Sequence, residues 1–223
     1  MSFNIAIDGP AGAGKSTIAK KIAKELGFVY VDTGAMYRAM ALYFLRSNIS
    51  NEDEQAISRA SENVEITIQY ENGEQQEFLN GENVSGEIRK EEVGNMASKT
   101  SGYGQVRKKL VELQQQLAKK ADVVMDGRDI GTVVLPDAQV KVYLTASVAT
   151  RAKRRYDELL EKGQECNLEK IAADIEQRDY QDMHRENSPL RQAEDAVLVD
   201  SSDMTMEEVV AAIKKLYEDV CNA

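Results

Sequence analysis

The sequence has 223 residues, 42% of them hydrophobic and 30% charged, with a formal net charge of −10. That balance excludes disordered, collagen-like and membrane-spanning classes, and the acidic excess argues against a general affinity for DNA, RNA or anionic membrane. The length suits one large domain with insertions. Cys166 and Cys221 lack the spacing of a metal knuckle or redox pair and read as free thiols of a reducing compartment. The opening MSFNIAIDG has no basic segment, apolar stretch and small-residue cleavage site in succession, so a cytoplasmic location is expected.

Residues 3 to 7 read as a buried strand, followed by a helix from Ser16 to Leu26 with Ile18, Ile22 and Leu26 on one stripe and Gly27 closing it. FVYVD, residues 28 to 32, is a second strand, and a helix from Thr33 to Arg46 takes Thr33 as its N-cap. A short helix near 52 to 62 precedes an alternating stretch, a turn at ENG and a returning QEFLNG, so residues 64 to 81 form a small antiparallel insertion. Helical patterns run from 87 to 99 and from 103 to 119, the second with Val106, Leu110, Leu113 and Leu117 on one stripe. Apolar runs at 122 to 126, 140 to 144 and 196 to 199 alternate with helices, which predicts a parallel sheet covered by helices on both faces.

Gly9-Pro10-Ala11-Gly12-Ala13-Gly14-Lys15-Ser16 satisfies G-x-x-x-x-G-K-[ST] with a strand before it and a helix after it. Such a P-loop curls its amides around phosphate oxygens at the positive end of the helix. Residues Gly9 to Ser16 together with Thr17 are therefore the expected triphosphate-binding set, for ATP if the chain is a kinase, with Lys15 reaching the terminal phosphates and the Ser16 hydroxyl on Mg²⁺. Asp126 ends an apolar strand, the position from which P-loop enzymes hold magnesium through water. Asp8, directly before Gly9, could act similarly or orient the loop.

No N-K-x-D or D-x-x-G string occurs, which disfavours a GTPase switch, and a short acidic chain is unlike a nucleic-acid translocase. Phosphoryl transfer to an anionic acceptor makes a different demand: two polyanions must meet, and guanidinium groups offset their repulsion. Arg38 lies one turn into the helix after the second strand, at the edge where ligands of open α/β sheets bind. Arg128 follows the strand ending at Asp126. Arg151, Arg154 and Arg155 share one side of a helix, as do Arg178, Asp182 and Arg185. Each could equally be an ion-paired surface residue, Arg154 with Glu158, and Arg178 with Asp174 or Asp182. On residues alone, a kinase of UMP, AMP or a small hydroxy acid and a non-catalytic nucleotide-binding regulator stay open, although a regulator has no use for a second anion site.

IDGPAGAGKST, VDTGAMYRAMAL, GENVSGEIR, VVMDGRDIGTVVLPDA and RDYQDMHRENSPL, in that order over nearly the whole chain, resemble the bacterial cytidylate kinases, P-loop nucleoside monophosphate kinases that phosphorylate CMP and dCMP with ATP. The resemblance implies a P-loop three-layer α/β fold with a core of 1–62 and 100–223, an inserted monophosphate-binding domain at 63–99 and a helical lid at about 151–165 carrying Arg151, Arg154 and Arg155 over ATP. It implies that Arg38, Arg128 and Arg185 hold the acceptor phosphate, that Arg178 and Asp182 contact ribose, and that Ser98, Arg107 and Asp129 read cytosine. Thr33 joins the substrate contacts, and Lys15, Arg128 and Asp126 form the catalytic set. Cytosine offers an amino donor beside two acceptors, which a carboxylate and a guanidinium complement, whereas uracil would turn an oxygen toward Asp129. A monomer with small-molecule partners only is expected. His184 reads as a surface residue and Tyr37 as a core tyrosine.

Overall fold

The computed structural model describes residues 2–71 and 73–222. In chain order the elements are β1 (Asn4–Asp8), α1 (Lys15–Leu26), β2 (Val29–Asp32), α2 (Thr33–Arg46), α3 (Glu54–Asn63), β3 (Ile66–Glu71), β4 (Glu74–Leu79), β5 (Glu82–Asn83), α4 (Glu91–Thr100), α5 (Gly104–Lys120), β6 (Val123–Gly127), β7 (Val140–Thr145), α6 (Val148–Glu161), α7 (Leu168–His184), β8 (Val197–Asp200) and α8 (Met206–Cys221). A five-stranded sheet has the order β2-β6-β1-β7-β8, and a three-stranded one the order β3-β4-β5. Two compact units result, Met1–Tyr30 with Ala121–Ala223, and Val31–Lys120.

In the first unit β1 pairs in parallel with both β6 and β7, and β7 with β8. A strand flanked on both sides and covered on both faces must be apolar throughout, and Ile5, Ala6 and Ile7 are fully buried. Ile18 and Ile22 of α1 pack with Val124, Val142, Leu144 and Ile213 in one core cluster, edged by the partly buried Phe3, Phe28 and Tyr217. Phe3 and Tyr217 meet edge to face at 5.0 Å between ring centroids. Gly27 is left-handed at φ 72° and its amide returns to Ala23 O, as expected of a C-terminal glycine. α8 begins with a reciprocal capping box of Thr205 and Glu208.

In the second unit, β3 and β4 pair antiparallel with Ile66 opposite Leu79, the hairpin expected from the alternation. The middle residue of its turn, Asn72, lies outside the described residues. β5 adds a third strand, Phe78 facing Asn83, too short to show in the sequence pattern. The expected helix from 87 is divided: Glu87–Arg89 is a single 3₁₀ turn, Lys90 is extended at φ −64° and ψ 146°, and α4 starts at Glu91. The cap of α2 is Asp32 and not Thr33, because the Asp32 carboxylate accepts the Ala35 amide at 2.8 Å. On α5, Gln114 rather than Leu113 or Leu117 takes the fully buried position beside Val106 and Leu110. Buried residues there recur every fourth position, so the buried stripe drifts away from the expected one.

The two cysteines form no disulfide. Among the described residues, no helix is long and apolar enough to cross a membrane.

Candidate active site

The loop between β1 and α1 is shaped by three glycines with positive φ: Gly9 at 152°, Gly12 at 74° and Gly14 at 87°. At Gly9 the reason is also steric, since a Cβ would come within 1.9 Å of Leu144 O. Lys15 opens α1 with only 5% exposure, and its Nζ donates to Pro10 O at 2.8 Å. Burial above all, and then the positive charge of Arg128, pull its pKa down to about 7, while Asp126, Asp182 and Asp8 oppose the drop. A cation held this way is poised for phosphate oxygens, which would restore its full charge.

Ser16, the next residue, donates its hydroxyl to Asp126 Oδ2 at 2.8 Å, and the other carboxylate oxygen accepts Tyr30 OH at the same distance. Asp126 sits in β6, whose register against β1 places it opposite Ile7. A serine hydroxyl and a strand-borne carboxylate in contact form a hard, all-oxygen donor pair, which fits Mg²⁺ completed by phosphate and water. Among the described residues no cluster of three or more His, Cys, Asp or Glu could hold a metal by itself.

Asp8, at the end of β1, accepts the amides of Ile130 at 2.8 Å and Gly131 at 2.7 Å. These open a π-helical turn, Ile130–Val134, directly after Arg128 and Asp129. Asp8 thus orients that turn. Burial lifts its pKa to about 6 against the pull of the two amides.

Two ion pairs tie the turn region to the end of α7. Arg128 Nε donates to Asp182 Oδ2 at 2.8 Å, and Arg185 Nη2 meets Asp129 Oδ1 at 3.4 Å. Arg185 also donates Nε to Ser188 O at 2.7 Å. Burial alone would lower the Arg128 pKa; Asp182, with Asp126 and Asp179, outweighs it and raises the value. Arg178 is exposed on the same helix, and His184 is an exposed residue stacked on Tyr180.

The three arginines of α6 take separate paths. Arg151 is buried, Arg154 donates to Ser201 O at 2.7 Å and to Ser201 Oγ at 3.2 Å, and Arg155 pairs on the surface with Glu158 at 2.8 Å. Arg151 donates Nε to Ala146 O and Nη1 to Ala11 O, each at 2.8 Å, and its Nη2 meets Asp179 Oδ2 at 2.7 Å.

Within the second unit, Arg38 Nη2 pairs with Asp32 Oδ2 at 3.3 Å, one turn from the buried Thr33. Asp32 is held in turn by Gln75, which donates Nε2 to Asp32 O at 3.2 Å and accepts the Asp32 amide at 2.9 Å. Ser98 and Arg107 come together on Ser101: Ser101 Oγ donates to Ser98 O at 3.1 Å, and Arg107 Nη1 donates to Ser101 O at 3.3 Å. The Arg107 guanidinium lies 5.8 Å from the ring centroid of Tyr37, the neighbour of Arg38.

Residues missed in the sequence are Tyr30, Gln75 and Asp179. Tyr30 sits in a strand buried along almost its whole length and Gln75 in an alternating one, and nothing in the sequence marks either. Asp179, adjoining Arg178, carried one faint sign: a carboxylate on the buried phase of Ile175.

The chain matches the cytidylate kinase family model over residues 5–219. It is 51% identical to a cytidylate kinase of Lactobacillus johnsonii over 216 residues, covering 97% of this chain and 94% of that protein. A cytidylate kinase of Caldicellulosiruptor saccharolyticus is also 51% identical, over 218 residues, covering 98% of this chain and 96% of its own. Among solved structures, a gluconokinase from Sinorhizobium meliloti shares the fold with a TM-score of 0.50 at 13% identity, over 99% of this chain and 94% of that one.

Proposed function

This chain belongs to the cytidylate kinase family, and we propose that it transfers the γ-phosphoryl group of ATP to CMP or dCMP, giving ADP and CDP or dCDP. The observation that carries the reading lies in the first unit: Arg128, bound to Asp182 at 2.8 Å, follows by two residues the Asp126 whose carboxylate accepts the hydroxyl of Ser16 in the phosphate loop at 2.8 Å. A guanidinium beside a triphosphate cradle that already carries a lysine is what an anionic acceptor requires and what a lone ATP sensor does not.

The acceptor oxygen of a nucleoside monophosphate is already ionised, so in-line transfer needs positioning and charge compensation more than a general base. In this reading Gly9 to Thr17 bind ATP, Lys15 and Arg128 stabilise the charge on the transferred group, and Ser16 with Asp126, the latter through water, hold Mg²⁺. Magnesium supplies charge neutralisation at the phosphate oxygens. Arg128 and Arg185 hold the acceptor phosphate, Arg178 and Asp182 the ribose, and Asp129 the cytosine amino group. In the second unit the assigned substrate contacts are Thr33 and Arg38, and the assigned base readers are Ser98 and Arg107. Arg151, Arg154 and Arg155 belong to the ATP side, at the start of the proposed lid. The 63–99 segment is the monophosphate-binding insertion. The enzyme is proposed to be a cytoplasmic monomer.

ADP release measured with CMP, dCMP, UMP, AMP and shikimate tests the reading: turnover is expected with the cytosine nucleotides, and its absence with CMP would overturn it. Asp129→Ala is expected to narrow the preference for CMP over UMP by roughly one to two orders of magnitude, the scale of a lost base-reading contact.

A further inference from the structure

Ala11 stands in the middle of the phosphate loop, and both peptide groups that flank it are held by side chains from far along the sequence. Its amide donates to Asp179 Oδ1 at 3.2 Å, and its carbonyl accepts Arg151 Nη1 at 2.8 Å. The two side chains close the ring between themselves, Arg151 Nη2 to Asp179 Oδ2 at 2.7 Å, with side-chain exposures of 4% and 11%. Arg151 is fixed a third time by Nε on Ala146 O. Beneath the next residue, a Cβ at Gly12 would meet Arg151 Cβ at 3.5 Å and Ile175 Cδ1 at 3.9 Å, so the loop rests on α6 and α7.

We propose that Asp179 and Arg151 are positioning residues for ATP: together they fix the orientation of the Ala11 peptides, and hence of the amides from Gly12 to Lys15 that line the phosphate cradle. A peptide plane fixed on both sides of one residue leaves the chain little freedom in where its next amides aim. An anion cradle works only when its donors are set before the ligand arrives. And a bare Asp179 carboxylate beside the loop would repel a triphosphate, so its neutralisation by a guanidinium that also grips the loop serves both geometry and charge. Each of the Arg151 groups Nε, Nη1 and Nη2 has a partner inside the protein, which suits a fixed strut. The arrangement also seats the loop on α7, the helix carrying Arg178, Asp182 and Arg185.

This rests on the ATP reading of the loop alone, and the test is run without any acceptor, so failure of CMP as substrate would leave it untouched. Mg-ATP binding is titrated to the wild type, Asp179→Asn, Arg151→Lys and the double variant, with thermal unfolding recorded alongside. Each single change is expected to weaken ATP binding by on the order of tenfold to a hundredfold, as misplacement of a binding group does. The double variant is expected to bind no more weakly than the worse single, because the pair acts as one unit. ATP affinity within about threefold of wild type despite a lowered melting temperature, or losses that add in the double variant, would overturn the proposal. Should the variants fail to fold, amide exchange in the wild type decides: the Ala11 amide is expected to be protected, and exchange at the rate of an open loop refutes the strut.

Discussion

Replacing Lys15 with methionine is expected to make the protein more stable and inactive at once. The buried ammonium has a pKa of about 7 where an ordinary lysine has 10.5, with burial the first cause and Arg128 the second. Folded-state depression of this kind means that between pH 7 and 10.5 the unfolded chain holds more protons than the folded one, so stability rises with pH across that window and is lost as pH falls toward 7. At 1.36 kcal/mol per pH unit, the cost of burying the charge at pH 7 is roughly 5 kcal/mol. Methionine keeps the length and removes the charge, forfeiting the hydrogen bond to Pro10 O, about 1 kcal/mol. A net gain of about 2–4 kcal/mol at pH 7, in a chain of this size, corresponds to a melting temperature roughly 5–10 °C higher. Circular dichroism melts of both proteins from pH 7 to 10 should show the gap largest at pH 7 and narrowing as the wild type climbs. Activity should fall by several orders of magnitude in kcat, since in the proposed reading the same charge serves the transferring phosphoryl group. A variant less stable than wild type at pH 7, or a gap that does not change with pH, would refute the argument that function holds a destabilising charge in place.

The glycines of the loop should differ sharply. Gly9→Ala meets Leu144 O at 1.9 Å and should cost more than about 4 kcal/mol, seen as loss of soluble protein, whereas Gly14→Ala has no atom within 4 Å and only the strain of φ 87°, about 1–2 kcal/mol; equal melting temperatures would refute the steric account. For Asp8 the sign is opposite to that of Lys15: its pKa is raised from 3.8 to about 6, so its contribution is present below pH 4 and lost as pH rises through 6. The stability advantage of wild type over Asp8→Asn should therefore shrink by about 3 kcal/mol between pH 4 and 6.5 in paired denaturation curves, and a constant difference would count against the assigned pKa. Thr205→Ala removes the hydroxyl that accepts the Glu208 amide at 3.2 Å and should lower the melting temperature by about 2–4 °C with kinetics unchanged; an unaltered melt would show that the capping box contributes nothing.

What the sequence made legible was whatever local chemistry decides. A glycine-rich turn between an apolar run and an amphipathic helix is read from adjacent residues, and so are the strand-end position of Asp126 and the hairpin of β3 and β4. What stayed hidden was the choice among partners that periodicity treats alike. Arg154 and Arg155 stand four and three residues before Glu158, and helical spacing allows either to pair with it. The structure gives Glu158 to Arg155 and to Lys162, because Arg154 finds the Ser201 carbonyl at 2.7 Å, 47 residues away. Arg151, one turn earlier on the same side, is drawn inward by Ala11 and Asp179, the first 140 residues distant. Three arginines with one periodicity thus reach three environments, from exposed to 4% accessible. The same holds for Asp32 over Thr33 at the start of α2, where either side chain could cap and the carboxylate takes the cap while also pairing with Arg38. Motif positions are therefore set by local chain geometry, while the charges around them are assigned by contacts that only the folded sheet and helices bring within reach.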